Sequence, residues 1–328
     1  MTASERTAHR RSATVRCSFL PFLSDRQVSC LWCGQLLRAS SAGRPIRTRD
    51  WGGDDTVYTY VPCGHCRSLV LINPPPEELM GQHYRDDYGP YQQPLATSLA
   101  PLRLPDPEAL SARATPRQPL QILDYGPGSG AWLACARLTF PDIAMAAVDF
   151  DIAASAQRLA WLQQPVALLN PAEFLASTHG WDVINFSHSL EHITNPIQVL
   201  QWAIKHLNPG GLLVLDAPSV DSLSLRVWGP FWQGLEAPRH LSIPAANQVV
   251  RLLRRQRLQL RQRFTYGSAE LFRRTLQQAA QSPCPWPRHF LIRASRAVCG
   301  DGLLNRCCGR LGLSTAFRLI ASKPPSSR

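Results

Sequence analysis

One segment, ILDYGPGSG at residues 122–130, restricts the fold of this chain more than any other part of the sequence. Its apolar start is typical of a buried strand. Its three glycines allow a tight turn in which the backbone can approach a ligand, because no Cβ stands in the way. A strand, a glycine-rich turn and a helix in this order form the ligand-binding unit of parallel α/β sheets. The segment therefore predicts a doubly wound, Rossmann-like α/β domain.

The sequence on both sides of this loop alternates between apolar strands and amphipathic helices. Seven strands are predicted, at residues 121–125, 145–149, 166–169, 182–187, 212–216, 258–264 and 315–320. This alternation predicts a seven-stranded, mostly parallel sheet with helices on both faces. Between the fourth and fifth strands we expect a helix with Asn195 as its cap and Pro196 in its first turn. Ligands of such a sheet bind at the carboxyl ends of the strands.

The chain of 328 residues is long enough for one large core and a small additional domain. We predict a disordered basic arm, a zinc ribbon, a linker and the α/β domain, over residues 1–27, 28–85, 86–118 and 119–328. Residues 266–314 carry two Arg-rich helical patterns and are predicted to form a helical insertion before the last strand. A connection of that length either closes over a substrate as a lid or packs on the outside of the domain, and the sequence supports both interpretations.

Two C-x-x-C pairs, Cys30 with Cys33 and Cys63 with Cys66, predict a metal site near the N-terminus. In a zinc knuckle two thiolates close a tight turn around the ion, and two knuckles complete a tetrahedral site. Because four cysteines fill the coordination sphere, we expect a structural Zn²⁺ ion rather than a catalytic one. No apolar core of a secretory signal is visible, so we expect reduced cysteines and a cytoplasmic protein.

Acidic residues at two neighbouring strand ends indicate the type of ligand. Asp124 stands directly before the glycine turn, where a carboxylate disfavours a pyrophosphate and suits a cation such as a sulfonium with an amino-acid tail. Asp149 ends the next strand, and a carboxylate there can accept both hydroxyls of a ribose. Phe150 beside it offers an apolar face to adenine. Together these residues predict a binding site for S-adenosylmethionine (SAM).

Four segments resemble successive motifs of the class I SAM-dependent methyltransferases: ILDYGPGSG, AAVDFD, WDVINFSHSLEHITNP and HLNPGGLLVLDAP. The resemblance covers residues 121–242 and is closest to the zinc-ribbon-containing group related to the ubiquinone-pathway O-methyltransferases. One departure is Pro127, where many members have Cys. The resemblance implies a set of residues in contact with SAM: Asp124, Tyr125, Gly126, Gly128, Gly130, Asp149, Phe150 and Ser187.

The residues after the fourth strand are the candidate catalytic centre. A hydroxyl nucleophile must lose its proton, and His is the usual general base near neutral pH, so His192 and His240 are candidates together with Glu191. His192 has a structural alternative, in which it caps the loop or orients Glu191. A second alternative is a divalent metal on His188, Glu191 and His192, since related O-methyltransferases carry a Glu–Glu–His set here and His188 replaces the first Glu.

An aromatic loop precedes His240. Trp228, Phe231 and Trp232 stand among glycine and proline residues, which indicates a loop. Their rings either form an acceptor pocket with His240 or belong to the core. We favour the pocket.

The expected reaction is methyl transfer to an oxygen, or less favourably a carbon, of a small-molecule or glycan/lipid-linked acceptor. A formal net charge of +12, mostly from arginine, points either to anionic partners or to an arginine bias in composition. Methylation of rRNA or tRNA is therefore an alternative, because some ribosomal guanine methyltransferases combine a four-cysteine ribbon with this fold. A non-catalytic SAM-binding module is a further alternative.

No window of the sequence approaches the roughly 18 apolar residues of a membrane helix. The oligomeric state is not predicted.

Overall fold

Seven strands form one mixed sheet in the computed structural model, which describes residues 28–37, 43–51, 53, 56–84, 88–95, 98–115, 118–267, 269–280 and 314–325. The strands are β4 (Leu120–Tyr125), β5 (Ile143–Val148), β6 (Val166–Leu169), β7 (Trp181–Ser187), β8 (Leu207–Pro218), β10 (Gln259–Tyr266) and β11 (Ala316–Ser322). Their order is β10-β11-β8-β7-β4-β5-β6, and only β11 runs against the others. The predicted mostly parallel seven-stranded sheet is confirmed, and β8 extends the predicted fifth strand at both ends.

Helices connect and cover these strands, and several of them begin at a side-chain cap. The helices are α1 (Glu77–Met80), α2 (Pro107–Ser111), α3 (Ala131–Thr139), α4 (Ile152–Leu159), α5 (Pro171–Ala176), α6 (Pro196–His206), α7 (Leu223–Trp228), α8 (Ala246–Arg255) and α9 (Ala269–Ala280). Asn170 and Glu173 form a capping box at α5, and Asp151 caps α4. Helix α6 begins after Asn195 with Pro196 in its first turn, as predicted, but the Asn195 side chain makes no cap hydrogen bond because its backbone leaves the extended region.

The core lies on both faces of the parallel strands, as expected when helices cover both faces. Leu123, Ile184 and Phe186 are fully buried at the centre of the sheet, and Val249 and Leu253 of α8 pack into the same apolar cluster. Burial of each such side chain stabilises the fold by about 1.5–3 kcal/mol. This rigid sheet fixes the strand ends on which the candidate site is built.

A second, four-stranded antiparallel sheet carries the cysteine pairs. It contains β1 (Ile46–Arg49), β2 (Val57–Pro62), β3 (Leu69–Leu71) and β9 (Ser242–Ile243), in the order β1-β2-β3-β9. The first three strands come from the N-terminal region, whereas β9 comes from the α/β domain. The two parts of the chain therefore share one sheet.

Buried hydrogen bonds strengthen this junction. Trp32 Nε1 donates to Ser242 Oγ at 2.9 Å, and Gln248 Nε2 donates to the Trp32 carbonyl at 2.7 Å. The Ala245 amide donates to Ser68 Oγ at 3.0 Å. Each buried bond is worth about 1 kcal/mol net, and leaving one partner unpaired costs more. The cysteine-bearing sheet is thus held on the α/β domain by specific polar contacts as well as by apolar packing.

Three tyrosines in the segment that follows the N-terminal sheet lie above the glycine loop. The rings of Tyr84, Tyr88 and Tyr91, the tyrosine cluster, lie 5.1–6.4 Å apart. The carbonyl oxygen of Pro90 lies so close to Gly128 that a Cβ on this glycine would be 2.8 Å from it. The cluster therefore forms a roof over the carboxyl ends of β4 and β5.

The predicted helical insertion is described only in its first part. Helix α9 packs against the turns at Gly229–Phe231 and Gln233–Leu235, and residues 281–313 lie outside the described residues, as does the arm at 1–27. In the described part of the chain, none of the helices combines the length and the apolar composition needed to span a bilayer.

Candidate active site

The glycine loop joins β4 to α3 in a conformation that needs glycine. Gly126 and Gly128 have φ values of 73° and 53°, which L side chains rarely adopt. A Cβ on Gly126 would also stand 2.9 Å from the Cβ of Ser189. Gly130 starts α3 close to Leu159, in agreement with its expected packing role. The loop thus exposes its backbone to the cavity below the tyrosine cluster.

Asp124 lies at the end of β4 and is 1% exposed. Burial raises the pKa of its carboxyl to about 7, although a hydrogen bond from Asn185 Nδ2 at 2.7 Å lowers it in part. Asn185 Oδ1 and Ser189 Oγ are buried without a hydrogen-bond partner in the described structure. A carboxylate and two unpartnered oxygens in one place suit a ligand that brings a positive charge and N–H donors.

Asp149 ends β5 as expected, but its carboxylate already has protein partners. Oδ2 accepts from Ser155 Oγ at 2.6 Å and from Arg158 Nη2 at 2.9 Å, and Oδ1 accepts a longer bond from the Asp151 amide at 3.3 Å. Arg158 also lies 4.1 Å from the ring centroid of Tyr91. These contacts hold Asp149 in place and leave Oδ1 as the oxygen with the larger free hydrogen-bonding capacity.

The other predicted cofactor residues occupy different positions. Phe150 is 60% exposed, and its ring lies 5.5 Å from that of Tyr84. Ser187 ends β7 and lines the cavity. The ring of Tyr125 packs at 5.2 Å on Phe186, so this side chain is mainly a wall of the site.

Glu191 is the centre of the predicted catalytic group and is fully buried in the short helical turn Leu190–His192. Its Oε1 lies 3.3 Å from His188 Nδ1 and 3.9 Å from His240 Nε2, whereas Oε2 has no partner in the described structure. Burial alone would raise the pKa of Glu191, but the hydrogen bond and charge of His188, followed by His240, lower it. Glu191 is therefore an ionised carboxylate that is itself buried, although its histidine neighbours line the cavity.

His192 is held through its Nδ1 atom. This nitrogen lies 2.8 Å from the Tyr84 hydroxyl and 3.0 Å from the carbonyl oxygen of Arg239. Because a carbonyl can only accept, we assign the proton to Nδ1, which leaves Nε2 as the basic nitrogen. Burial, with the nearby His240, lowers the pKa of His192 to about 4. His192 is thus neutral near pH 7 and can accept a proton.

His240 faces His192 with ring centroids 4.7 Å apart. Its Nδ1 donates to the Gly234 carbonyl at 2.9 Å, and its Nε2 lies 3.7 Å from Glu236 Oε2. Tyr60 donates its hydroxyl hydrogen to the carbonyl of His240 at 2.6 Å. The predicted trio of His192, Glu191 and His240 is therefore brought together, with strands of the N-terminal sheet supporting it.

A metal ion on this trio is geometrically reasonable. One donor atom each from Glu191, His192 and His240 lie within 4.8 Å of one another. His188, which the sequence placed in the alternative metal set, instead uses Nε2 to contact the Tyr266 hydroxyl at 2.9 Å. The set that the fold assembles thus contains His240 in place of His188.

Sequence reasoning missed Tyr84 and the partners of Asp149 as site residues. Tyr84 was visible only as part of a tyrosine-rich stretch, and its pairing with His192 depends on a contact across 108 positions of the chain. The aromatic loop combines the two interpretations that the sequence offered, because Trp232 and His240 line the cavity while the tryptophans also pack in the core. Trp228 and Trp232 are 3% and 2% exposed and belong to the core around α9, although Trp232 also reaches the cavity wall.

One cavity of about 1690 Å³ connects the glycine loop with the histidines. Ligand pockets are usually about 300–1000 Å³, so this cavity has room for a cofactor and an acceptor together. Its wall contains five carboxylates and, among the described residues, neither Arg nor Lys: Glu77, Glu78, Asp124, Asp149 and Glu236. Apolar side chains from the N-terminal sheet, such as Leu31, Val70 and Ile72, complete the lining.

The four cysteines of the two C-x-x-C pairs converge on one point. All four sulfur atoms lie within 4.8 Å of one another, with Cys30 Sγ 3.5 Å from Cys66 Sγ and Cys33 Sγ 3.6 Å from Cys63 Sγ. Each pair is followed by a residue with a positive φ, Gly34 at 72° and Arg67 at 68°. The two turns thus repeat one geometry around a common centre, as expected of paired zinc knuckles.

Comparison with known proteins identifies the family. The model of the "Methyltransferase domain" family matches residues 99–262, which is half of the chain. Methyltransferase str2 from Strobilurus tenacellus is 32% identical over 120 residues, 36% of this chain and 40% of that protein, and methyltransferase str3 is 33% identical over 100 residues, 30% and 35% of the two chains. This chain therefore spans about two fifths of the length of the first curated relative.

Solved structures with some likeness include an O-methyltransferase family protein from Burkholderia thailandensis, with a TM-score of 0.42, 12% identity and coverage of 67% of this chain and 56% of that one. The N-methyltransferase NodS from Bradyrhizobium japonicum has a TM-score of 0.39, 14% identity and coverage of 66% and 84%. From the family match, which includes the glycine loop and both acidic strand ends, this chain belongs to the SAM-dependent methyltransferase-domain family.

Proposed function

We propose that this protein transfers a methyl group from SAM to an oxygen of a small-molecule or glycan/lipid-linked acceptor, in a reducing cytoplasm. The observation that carries the proposal is His192, a buried neutral histidine whose proton we assign to Nδ1, beside the buried carboxylate Glu191 and at the end of the strand next to the glycine loop. Such a group can take the proton of a hydroxyl acceptor.

The binding of SAM uses the two acidic strand ends. Asp124 and the unpartnered oxygens of Asn185 and Ser189 would hold the positively charged amino-acid part, and the free capacity of Asp149 Oδ1 would take a ribose hydroxyl. Phe150 and Tyr84 offer rings at the adenine side. SAM supplies an electrophilic methyl group on a sulfonium sulfur. The glycine loop has no side chains at Gly126 and Gly128 that would block the approach of SAM to the backbone.

The residues of the chain then act on the acceptor. The proton of the acceptor hydroxyl would pass to Nε2 of His192, so that the oxygen could bond to the methyl carbon. The carbon–sulfur bond would break at the same time, and its electron pair would stay on the sulfur of the departing S-adenosylhomocysteine. Tyr84 and the Arg239 carbonyl keep the His192 ring in one tautomer, which is the form able to accept at Nε2. Glu191 stabilises the imidazolium that results, because the two groups are close in a site of low polarity.

The four cysteines would hold a structural Zn²⁺ ion. Their converging sulfur atoms fit a tetrahedral set, and the site has no open position for a substrate. The ion would fix the two knuckles and, through Trp32 and Tyr60, the wall that carries His240.

The charge of the cavity wall favours a neutral or cationic acceptor over a nucleotide. Asp149 and Glu236 are paired with Arg158 and Arg239. The other three carboxylates of the wall have no Arg or Lys partner among the described residues and disfavour a phosphate that enters with the acceptor: Glu77, Glu78 and Asp124. Methylation of rRNA or tRNA is therefore the less favoured alternative. Methylation at carbon is also compatible with the site, because His192 could serve as the general base in that reaction too.

Radiolabelled SAM added to fractionated lysate tests the proposal. Label in organic-extractable or small polar products supports it, whereas label that ribonuclease releases supports the nucleic-acid alternative. His192→Asn should remove nearly all transfer while SAM binding by calorimetry stays within about twofold, and the exposed His179→Asn is the matched control. SAM binding with no transfer to any fraction would instead indicate a non-catalytic module.

A further inference from the structure

The outer side of α8 and β10 carries a long positive strip that the proposed reaction does not use. From Ala237 to Ala269 the sequence contains no acidic residue. Within it stand six arginines in thirteen residues, and the structure exposes all six: Arg251, Arg254, Arg255, Arg257, Arg261 and Arg263. We call these residues the arginine strip. They amount to half of the formal excess of positive charge on the chain.

The local structure brings the exposed arginines of α8 and β10 close together. Positions 251, 254 and 255 are three and four apart, so they lie on one face of α8, opposite the buried Val250 and Leu253. Arg261 and Arg263 are both exposed on β10, where the register shift between Leu260 and Gln262 leaves Arg261 as the extra residue of a bulge. Since α8 and β10 are adjacent in the fold, the helix face and the strand form one basic region.

None of the six arginines makes an ion pair or a hydrogen bond to a side chain within the described ranges, unlike Arg158, Arg239 and Arg318. Positive charges on an edge strand prevent pairing with another chain, and β10 is such an edge. That role accounts for Arg261 and Arg263 but not for the helix face of α8. Six like charges close together also repel one another, which an anionic partner would relieve.

The strip leads to the cavity. Strand β10 ends at Tyr266, whose hydroxyl contacts His188 at 2.9 Å, and its neighbours Thr315 and Ala316 line the cavity. At about 3.3 Å per residue, Arg261 lies about 17 Å from that end. A partner on the strip is therefore within reach of the mouth of the site.

We propose that the arginine strip docks the enzyme on an anionic membrane surface, from which a lipid-linked acceptor enters the cavity. The proposed membrane contact depends only on the arginine strip, whereas the choice of a lipid-linked acceptor rests on the proposed function. A bilayer fits better than RNA for two reasons. The cavity wall is mostly apolar, and its carboxylates Glu77, Glu78 and Asp124 have no Arg or Lys partner in the described structure, which suits an acceptor with an apolar chain and disfavours phosphate. Beside the strip only Phe264 is an exposed ring, so a row of stacking rings for bases is missing from the described surface.

Vesicle co-sedimentation tests the proposal without any methyl transfer. Full-length protein is mixed with phosphatidylcholine vesicles that contain either no or 30% phosphatidylglycerol (about a third, enough for a strong negative surface potential). We expect binding to the anionic vesicles only, and weaker binding as salt rises. The variant R254S/R255S/R261S/R263S should bind at least about a hundredfold more weakly, since each arginine near such a surface contributes several-fold.

The matched control, R44S/R103S/R137S/R226S, removes the same charge from arginines elsewhere at the surface and should stay within about threefold of the parent protein. SAM affinity by calorimetry should be equal in both variants, so a failure of the cofactor site is seen separately. Three results would overturn the proposal: no binding to anionic vesicles at about 0.1 M salt, equal loss in both variants, or binding to a single-stranded oligonucleotide that anionic vesicles do not displace.

Discussion

Acidification should reveal the buried neutral state of His192. In the unfolded chain this side chain has an ordinary pKa of 6.5, and burial lowers it to about 4 in the folded protein. Between these two values the unfolded chain binds more protons, so stability falls as pH decreases from about 6.5 and the loss is complete below about 4. From pH 7 to pH 5 this one group should remove about 2 kcal/mol from the free energy of unfolding.

Urea unfolding at several pH values measures this effect. His192→Asn removes the titrating group but keeps a polar side chain of similar reach, so the variant should lose about 2 kcal/mol less than the parent between pH 7 and pH 5. His179→Asn, at an exposed position, should follow the parent. Equal pH dependence in the parent and His192→Asn would refute the buried neutral histidine, and with it the assignment of the base. At saturating SAM, the same pKa predicts that kcat/KM for the acceptor stays constant above about pH 5.

The other predictions concern the cofactor, the tyrosine and the metal. Tyr84→Phe should lower kcat/KM about tenfold, as expected for one buried hydrogen bond, with SAM affinity by calorimetry within about twofold; an unchanged kcat/KM would exclude its positioning role. SAM affinity should fall toward acid pH, because protons compete for Asp124 with its pKa of about 7, and a flat affinity from pH 8 to pH 6 would contradict this contact. Asp149→Ala should weaken SAM binding about tenfold or more. Replacing Cys30 and Cys63 by Ser should abolish stoichiometric zinc in elemental analysis and destabilise the N-terminal sheet, and full zinc content would disprove the ribbon.

Local sequence patterns predicted the large sheet well. Parallel strands are buried on both faces, so each one is a short apolar run, and the strands at 121–125 and 182–187 were found within one residue of their limits. The glycine loop and the acids after β4 and β5 were also predictable, because each lies next to its strand in sequence. Residues such as Asn195 show the limit of this reasoning, since a suitable cap residue forms its bond only when the backbone has the right angles.

Long-range contacts explain what was not predicted. Tyr84 reaches His192 across 108 positions, and Tyr60 reaches His240 across 180. Ser155 and Arg158 donate hydrogen bonds to the Asp149 carboxylate because the first turns of α4 bring them back to the end of β5. The aromatic loop has the composition of a pocket, but most of its ring surface is buried against α9. None of these pairings leaves a periodic signal in one sequence.

The two-residue strand β9 has a consequence for any attempt to shorten this protein. Strand β3 supplies its only partner among the described strands, and the loop that carries His240 ends where β9 begins. Cutting the chain before the glycine loop would leave β9 with no neighbour, remove the Tyr60 and Trp32 contacts, and let the acceptor wall collapse or open. A shortened version that starts at β4 should therefore be inactive even if its cofactor site survives, because the described contacts to the acceptor wall come from residues 28–91.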